Sequence, residues 1–269
     1  MGCYWHIETA FQGSALARAL PDLAAAEANP GRQINGSPQA DCRVFIRDID
    51  GRTFFIKHYR AQAWSWRHLL GRSKAATEWR NLLYFRSLGI PTPVPVAMGE
   101  RRRFGVFNSG VLVTAEVVGA IDLARLARER NGLLHERAWY AELCRQLGSS
   151  LRCLHDRGFA HNDINWRNVL LTLEPGLTVY FFDCPTGRRW VWPFLGFRIV
   201  KDLTHLDKLG RCYLSRSQRL RFFLSYRGHD RLDAGDKRLL RRLIRRQAAA
   251  ETLVVPQQQA ADDAGRKHV

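Results

Sequence analysis

An aspartate and an asparagine spaced as Asp-x-x-x-x-Asn, Asp163 and Asn168, are the residues of this sequence that most clearly indicate chemistry. They lie in the stretch HNDINWRNVLL, which reads as a loop entering a short apolar strand. A positioned carboxylate can accept a proton from a hydroxyl group, and an amide oxygen is a suitable ligand for Mg²⁺. A second carboxylate, Asp183, follows the apolar run VYFF. These residues predict phosphoryl transfer, with Asp163 as the base and Asn168 and Asp183 as metal ligands.

Upstream, a lysine and a glutamate occupy positions that suit the binding of nucleotide phosphates. Phe54-Phe55-Ile56 predicts a strand that ends on Lys57, and Asp50-Gly51 before it marks a β-hairpin turn. Glu78 lies on a predicted amphipathic helix that Ser73 can cap. The order Lys, Glu, Asp, Asn, Asp is typical of kinase-like phosphotransferases. In such enzymes the lysine, positioned by the glutamate, contacts the α- and β-phosphates of ATP.

The sequence does not locate a phosphate-binding loop. Gly31 and Gly36 precede the predicted hairpin, but their spacing matches no standard glycine-rich pattern. Asp202 follows Asp183 after a short segment that is rich in arginine and tryptophan. Because an extended peptide acceptor usually needs a longer segment here, we expect a compact anionic or sugar-like acceptor. We interpret Asp202 as a structural support for the loop that carries Asp163.

The chain has 42 lysines and arginines against 25 acidic residues, and its net charge of +17 indicates an anionic partner. The surplus is concentrated in Lys208–Arg246, here called the basic cluster, where 13 basic residues accompany three acidic ones. Tryptophan suits the headgroup region of a bilayer, because its ring is apolar and its N–H is polar. We therefore expect association with an anionic membrane surface through the basic cluster together with Trp64, Trp66, Trp190 and Trp192.

Cysteine usage and hydropathy bear on the compartment. The six cysteines are scattered and form no CxxC pair, which favours reduced thiols in the cytosol. No apolar run approaches the ~18 residues of a transmembrane helix, and the first residues lack the features of an export signal. We expect a cytoplasmic protein.

The sequence predicts four segments. Residues 1–32 form an alanine-rich extension on the surface, residues 33–118 a small β-sheet lobe with one helix, residues 119–246 a larger and mainly helical lobe, and residues 247–269 a disordered tail. The helix of residues 136–156 has leucines on one face and is expected in the core. Its last turn contains His155, which has no evident partner in the sequence and is read as structural.

With these residues in place, the chain resembles the bacterial Kdo/WaaP-type lipopolysaccharide kinase family, including its InaA-like members. The resemblance covers about Val44 to Tyr213. It is carried by FIK ending at Lys57, SKAATEWRN around Glu78, LGIPTP, HND with Asn168, Asp183, and the run from Arg198 to Leu203. Two positions depart from common kinase patterns. Asp183-Cys184-Pro185 stands where protein kinases have Asp-Phe-Gly, and Asn162 and Asn165 replace residues that are often Arg or Gly, and Lys or His.

The resemblance implies an α+β fold of the bilobal protein-kinase type. It also implies ATP and Mg²⁺ as cofactors, and a sugar hydroxyl of the lipopolysaccharide inner core, on heptose or Kdo, as the acceptor. Such an enzyme would work in the cytoplasm, with peripheral association at the inner membrane. The lipopolysaccharide core, or another anionic sugar, is then the expected partner.

Three other functions are left open by the residues. A kinase of the aminoglycoside or choline type would share these site residues but would show no preference for membranes. A catalytically silent kinase-fold protein would bind an anionic glycolipid without turnover. Nucleic-acid binding by the basic helices is disfavoured because the sequence contains no recognised motif.

Overall fold

The computed structural model describes residues 2–37, 40–61, 71–130 and 132–265, with side chains through residue 249. Trp64 and Trp66, two tryptophans of the expected membrane surface, lie outside the described residues. The chain forms two compact units. The first unit comprises Met1–Arg125 with Arg167–Arg188, and the second comprises Leu126–Trp166 with Arg189–Val269. The hairpin that carries Asn168 and Asp183 is thus grouped with the first unit, whereas Asp163 belongs to the second.

An antiparallel sheet is the framework of the first unit, and six of its strands are among the described residues, in the order β1-β5-β6-β4-β3-β2. The predicted hairpin is confirmed, because Ile49 pairs with Arg52 across a turn in which Asp50 and Gly51 both have positive φ. The strands are β1 (Gly2–Ile7), β2 (Arg32–Asn35), β3 (Cys42–Ile49), β4 (Arg52–Arg60), β5 (Pro95–Arg103) and β6 (Val106–Ala115).

A helix covers the face of the sheet that bears Lys57. The Ser73 side chain accepts a hydrogen bond of 3.0 Å from the Ala76 N–H and so caps this helix, as predicted. The helix ends before Gly89, whose φ of 73° reverses the chain. Its apolar face packs on strand residues from β4, β5 and β6. We label this helix α3 (Lys74–Ser87).

The amino-terminal segment covers the opposite face of the sheet. It contains β1 and two short helices, α1 (Ala15–Ala19) and α2 (Leu23–Ala28). Leu16, Leu20 and Leu23 are at most 2% exposed and pack with strand residues such as Phe54 and Ile56. Residues 2–28 therefore belong to the core of the first unit, rather than forming the surface extension expected from their alanine content. The sheet also carries these two helices besides the single helix that was predicted, because leucines of both helices and of the turn between them are buried against it.

A small second sheet and several short elements complete the described fold. A small antiparallel sheet in the first unit has the order β10-β9-β7 and contains the predicted hairpin of β9 with β10. Further short elements lie between the large sheet and Phe194, and those from β8 onward follow the first long helix of the second unit, Arg137–Asp156. Their bounds are β7 (Ile121–Asp122), α4 (Leu123–Glu129), α5 (Gly132–His135), β8 (Phe159–Ala160), β9 (Val169–Thr172), β10 (Thr178–Phe181) and β11 (Arg188–Arg189).

The second unit is mainly helical. Its long helices are α6 (Arg137–Asp156), α7 (Phe194–Tyr213), α8 (Arg216–Arg227) and α9 (Ala234–Gly265). The leucine face of α6 is buried as predicted. At Gly148 on α6 a Cβ would lie 2.9 Å from the backbone nitrogen of Tyr226, so α6 and α8 approach more closely than a larger residue would allow.

The last helix is longer than the sequence suggests. Its backbone continues to Gly265 and includes most of the tail from Gln247 that was expected to be disordered. Alanine and glutamine, which are common in this stretch, favour helix formation. All six cysteines are free thiols, as their spacing predicts. Among the described residues, no helix combines the length and the apolar character needed to cross a bilayer.

The burial of the amino-terminal leucines generates a stability prediction. Leu20→Ala should lower the free energy of unfolding by about 2–5 kcal/mol, because Leu20 is 0% exposed and its loss leaves a cavity beneath α1. Leu83→Ala is the matched control, since Leu83 is 37% exposed on α3, and it should cost less than about 1 kcal/mol. Urea unfolding measures both. Equal losses for the two variants would contradict the burial of the amino-terminal segment in the core.

Candidate active site

A lysine held between two carboxylates lies at the centre of the first unit. The Lys57 Nζ donates to Glu78 Oε1 at 2.7 Å and to Asp183 Oδ1 at 2.6 Å. The pair of Lys57 and Glu78 is largely buried, since their side chains are 12% and 2% exposed. Strand β4 supplies the lysine, helix α3 supplies the glutamate, and the segment after β10 supplies the aspartate. The structure therefore brings together three residues that the sequence assigned to one site.

A tyrosine that the sequence did not single out completes this arrangement. The Tyr59 hydroxyl donates to Glu78 Oε2, so the glutamate is bonded through both of its oxygens. Tyr59 lies two residues after Lys57 on β4, and side chains at that spacing share a face of the strand. That spacing was the available signal. Because Tyr59 is 3% exposed, its hydroxyl needs a buried partner, and Glu78 provides one.

Burial and charge act in opposite directions on the lysine. Burial alone would lower the pKa of Lys57, but the carboxylates of Glu78 and Asp183 outweigh this effect and raise the pKa above its ordinary value. Lys57 is therefore a stable cation at neutral pH. Cys42 lies near the same charges, and burial raises the pKa of its thiol to about 11, so the thiol stays protonated.

The two predicted metal ligands flank one hairpin. Asn168 immediately precedes β9 and Asp183 follows β10 by one residue, and the Phe182 N–H donates to the Asn168 carbonyl at 3.4 Å. Asp183 has a φ of 56°, a left-handed conformation that is uncommon for a residue other than glycine. Such backbone is retained where its surroundings enforce it, often at functional sites. The amide oxygen and the carboxylate that these two residues offer are ligand types that fit Mg²⁺.

Asn81 on α3 fixes the segment that follows Asp183. Its Nδ2 donates to the Cys184 carbonyl at 2.8 Å and to the Gly187 carbonyl at 2.9 Å. Both Asn81 and Cys184 are buried. The same helix therefore positions Glu78 and holds the Asp-Cys-Pro segment. The only sequence signal for this role is the place of Asn81 one helical turn after Glu78.

Glycine is required at one end of the connection between β2 and β3. Gly36 has a φ of 92°, and a Cβ there would lie 2.6 Å from the Cys42 carbonyl oxygen. The Gln33 side chain donates to the Gly36 carbonyl. Gly36 thus closes a tight connection that leads into β3, directly before the strand that bears Lys57.

The loop that carries Asp163 is anchored on both sides within the second unit. Ile164 is 0% exposed, and the Trp166 ring stacks on Tyr213 with centroids 5.9 Å apart. Asn162 precedes Asp163 with a φ of 67°, a further left-handed residue beside a predicted site residue. These anchors hold the backbone on either side of a half-buried carboxylate.

Asp202 supports this loop through its start. Asp202 Oδ2 accepts the His161 N–H at 2.8 Å and lies 3.3 Å from His155 Nε2. The other ring nitrogen of His155 is 2.7 Å from the Tyr226 hydroxyl. A neutral imidazole satisfies both contacts, with Nε2–H donating to Asp202 and Nδ1 accepting from Tyr226. His155 is thus structural, as the sequence suggested, but it has two partners where none was expected.

The pairing of Lys57 with Glu78 leads to a second stability prediction. Glu78→Ala should lower the free energy of unfolding by about 3 kcal/mol or more, because it leaves a buried ammonium with one carboxylate and a buried tyrosine hydroxyl without an acceptor. Glu142→Ala removes an exposed partner of Arg145 and should cost at most about 1 kcal/mol. Parallel urea titrations compare the two variants. A Glu78 variant as stable as the Glu142 control would refute the structural importance of the buried pair.

Comparisons with known proteins identify the family to which the chain is similar. The sequence model of the "Lipopolysaccharide kinase (Kdo/WaaP) family" matches residues 40–226. The 3-deoxy-D-manno-octulosonic acid kinase of Vibrio vulnificus (strain CMCP6) is 26% identical over 126 residues, 47% of this chain and 48% of that protein. The protein of the same description from Actinobacillus succinogenes is 33% identical over 103 residues, 38% of this chain and 40% of that protein. The chain spans about half the length, or less, of these curated relatives.

A solved structure described as WaaP in complex with acyl carrier protein is similar in fold. It has a TM-score of 0.70 and 21% identity, and the similarity covers 93% of this chain and 99% of that chain. The predicted α+β, bilobal protein-kinase-like fold is thereby confirmed. Because the family match extends over most of the sequence, the chain belongs to the lipopolysaccharide kinase (Kdo/WaaP) family.

Proposed function

We propose that this protein is an ATP-dependent phosphotransferase that phosphorylates a sugar hydroxyl of the lipopolysaccharide inner core. The observation that carries this proposal is the buried arrangement in which Lys57 contacts both Glu78 and Asp183. Phosphoryl transfer requires from the protein mainly accurate positioning and the neutralisation of charge. A cationic lysine fixed by two carboxylates supplies both.

Within the first unit, each residue takes a distinct role. Lys57 contacts the α- and β-phosphates, and Glu78, itself held by Tyr59, keeps the ammonium in place. Asn168 and Asp183 hold Mg²⁺ through their side-chain oxygens. When bound, Mg-ATP supplies the transferable phosphoryl group and part of the charge neutralisation that transfer needs. Gly36, just after β2, is our candidate for a glycine beside the phosphates, because a Cβ there would collide with the backbone at the start of β3.

Within the second unit, Asp163 orients the acceptor hydroxyl and receives its proton. The loop does not need to fold around its substrate, because Asp202 and the buried side chains of Ile164 and Trp166 already fix its backbone. Asp202 itself is 0% exposed, so it acts through the loop rather than on the acceptor. Preorganisation of this kind lowers the entropy cost of bringing the hydroxyl and the base together.

The acceptor that we favour is Kdo, the 3-deoxy-D-manno-octulosonic acid of the inner core, over heptose. Two of the relatives are named as kinases of that acid. The chain also has the cationic surplus that an acidic acceptor would complement. Kinases of aminoglycosides or choline act on cationic substrates, to which this charge is poorly suited. The hydrogen-bonded state of Lys57, Glu78 and Asp183 favours an active enzyme over a silent binding protein.

The test is incubation with labelled ATP and defined lipopolysaccharide core fragments, followed by mass spectrometry. The wild-type protein should transfer phosphate to a fragment that ends in Kdo. Asp163→Ala should lower turnover by about 10²–10⁴-fold, because it removes the base while leaving the loop anchors intact. Lys57→Ala, Asn168→Ala and Asp183→Ala should each weaken Mg-ATP binding or turnover, read by calorimetry and by the same assay. The Lys57 change should leave the affinity for the acceptor fragment as it is.

Wild-type-like turnover in a well-folded Asp163→Ala protein would refute the role of Asp163. Unchanged Mg-ATP binding together with unchanged turnover in Asp183→Ala would refute the metal assignment. Transfer of phosphate to aminoglycosides or choline, and not to core fragments, would favour the soluble-acceptor alternative.

We also propose peripheral binding to anionic membranes through the second unit. Trp192, Phe194 and Phe197 are 87%, 60% and 65% exposed. Arg242 donates to the Gly196 carbonyl at 3.3 Å, and the Arg246 guanidinium lies 5.8 Å from the Phe197 ring centroid. The exposed ring of Phe197 therefore lies beside a cation of α9, and the exposed Arg242 contacts the residue before it, a combination that suits the headgroup region of a bilayer.

The structure divides the expected membrane-binding residues into two groups. Trp190 is packed under the Arg198 guanidinium, at 4.1 Å from its ring, and is not exposed in the manner of Trp192. Arg219 and Arg227 are engaged by Asp207 and Asp236 within the fold. Four arginines of the basic cluster remain exposed on α9, namely Arg238, Arg241, Arg242 and Arg245.

Vesicle co-sedimentation tests this membrane proposal. The protein should pellet with anionic vesicles at low salt and be released at high salt, because each arginine near the surface contributes about 1 kcal/mol that salt screens. Reversing the charge of the four exposed α9 arginines should abolish pelleting. Reversal of Arg219, which Asp207 already neutralises, is the control and should have a smaller effect. Equal recovery in the supernatant with neutral and anionic vesicles at low salt would contradict the proposal.

A further inference from the structure

One face of helix α7 is directed at the loop that carries Asp163. The contact that shows this is the hydrogen bond of 2.8 Å from the His161 N–H to Asp202 Oδ2, since Asp202 lies on α7. Lys201 precedes Asp202 on the helix, and His205 lies one turn after Lys201. Residues at this spacing share one side of a helix. Lys201 and His205 therefore flank the anchor of the loop, and all of these residues belong to the second unit.

The charges around His205 place Asp163 in the same neighbourhood. Burial lowers the pKa of His205 below its ordinary value, and the Lys201 ammonium lowers it further. Asp163 and Asp202 oppose this shift, and Arg246 on α9 adds to it. The imidazole of His205 is accordingly neutral at pH 7, so it can donate one N–H and accept at its other nitrogen. The ammonium of Lys201 provides a full charge beside it.

These two side chains lack close partners of their own. Both Lys201 and His205 are half-buried. Across the part of the chain that the structure describes, neither side chain takes part in a salt bridge or a hydrogen bond. Elsewhere in the same unit the cations of Arg219 and Arg227 are paired with aspartates. An ammonium in this position is available to form a charge-assisted hydrogen bond with an anionic ligand.

We propose that Lys201 and His205 form an anion-binding subsite beside Asp163, which recognises the carboxylate of an acidic acceptor sugar. This inference rests on the proposed phosphotransferase function, and it specifies how the acceptor is chosen. The ammonium forms a charge-assisted hydrogen bond with one carboxylate oxygen, and the imidazole N–H donates to the other. The carboxylate then orients the sugar ring so that one hydroxyl faces Asp163. A neutral sugar would leave the ammonium unpaired and would bind less well.

Lys201 could have another role, and the experiment must distinguish that role from recognition of the acceptor carboxylate. Lys201 could act on the transferred phosphoryl group instead of the acceptor, or could merely balance the charges of Asp163 and Asp202. Neither role depends on whether the acceptor carries a carboxylate. A comparison of acid and neutral forms of the same acceptor therefore isolates the proposed contact.

The experiment uses a soluble core fragment that ends in 3-deoxy-D-manno-octulosonic acid, and the same fragment with its acid converted to a carboxamide. Calorimetry measures the binding of each to the full-length chain, and turnover with labelled ATP is measured in parallel. The wild-type protein should bind the acid at least about 10-fold more tightly than the amide, since a charge-assisted contact is lost. In Lys201→Met that preference should disappear, with the change in KM for the acid and not in KM for ATP.

Two further variants complete the test. Lys201→Arg retains the charge and should keep part of the preference for the acid, which guards against a general loss of structure. His205→Gln retains a donor and should keep more of the preference than His205→Leu. Lys208→Met removes an exposed lysine from the same helix and should leave the preference unchanged.

The outcomes separate this inference from the proposed function. Equal binding of acid and amide by the wild type, or an unchanged preference in Lys201→Met, would overturn the subsite even if the protein transfers phosphate. If Lys201→Met lowered the affinity for the acid and for the amide equally, the subsite would also be overturned. A change confined to KM for ATP would overturn it as well. Absence of turnover with any core fragment would count against the proposed function, while the binding preference would still decide the subsite.

Discussion

The bonding of one buried lysine to two carboxylates is the constraint on which the first unit depends. An ammonium taken out of water is stable only if its charge is matched and its hydrogen bonds are made. Lys57 meets this requirement by drawing on a helix and on the segment after a hairpin, so three separate stretches of sequence must be in place before the charge is satisfied. The packing around it follows from this demand. Helix α3 covers one face of the sheet, and the amino-terminal helices cover the other.

The second unit uses a different device to hold its functional loop. A single carboxylate, Asp202, accepts a backbone N–H from the loop and is itself fixed by a histidine and a tyrosine from two other helices. No charge is exposed in this network, and burial raises the pKa of Tyr226, which keeps its hydroxyl protonated as a donor. Loops that carry function are commonly positioned by a rigid scaffold in this way. Asp163 thus gains a defined position without being part of a regular element.

Much of this arrangement could be predicted from local sequence patterns, and the remainder depended on contacts between distant segments. The Asp50-Gly51 turn, the Ser73 cap and the leucine face of α6 are local signals, and each gave the correct element. The order of Lys57, Glu78, Asp163, Asn168 and Asp183 was informative because that chemistry needs those groups together. Tyr59 and Asn81 were missed because their partners are set by tertiary packing, and their spacing from Lys57 and Glu78 indicates only a shared face of the strand or helix. His155 was read without a partner for the same reason, since Tyr226 lies on another helix.

The amino-terminal segment shows how composition can mislead. Its alanines suggested a loosely ordered surface helix, whereas three buried leucines decide its position, because each removes a large apolar side chain from water. Alanine has a small side chain that is tolerated both in the core and on the surface, so it does not determine which of the two a helix occupies.

The two hydrogen bonds from Asn81 have a consequence for chemical inhibition. They tie the backbone on the carboxyl-terminal side of Asp183 to the helix that carries Glu78. A compound that could bind only after Asp183 had turned away from Lys57 would have to break an ion pair and displace a segment fixed by a buried amide. Compounds that occupy the site with Lys57, Glu78 and Asp183 in contact avoid that cost. Inhibitor discovery against this protein should therefore begin from ligands that accept the closed arrangement of these three residues.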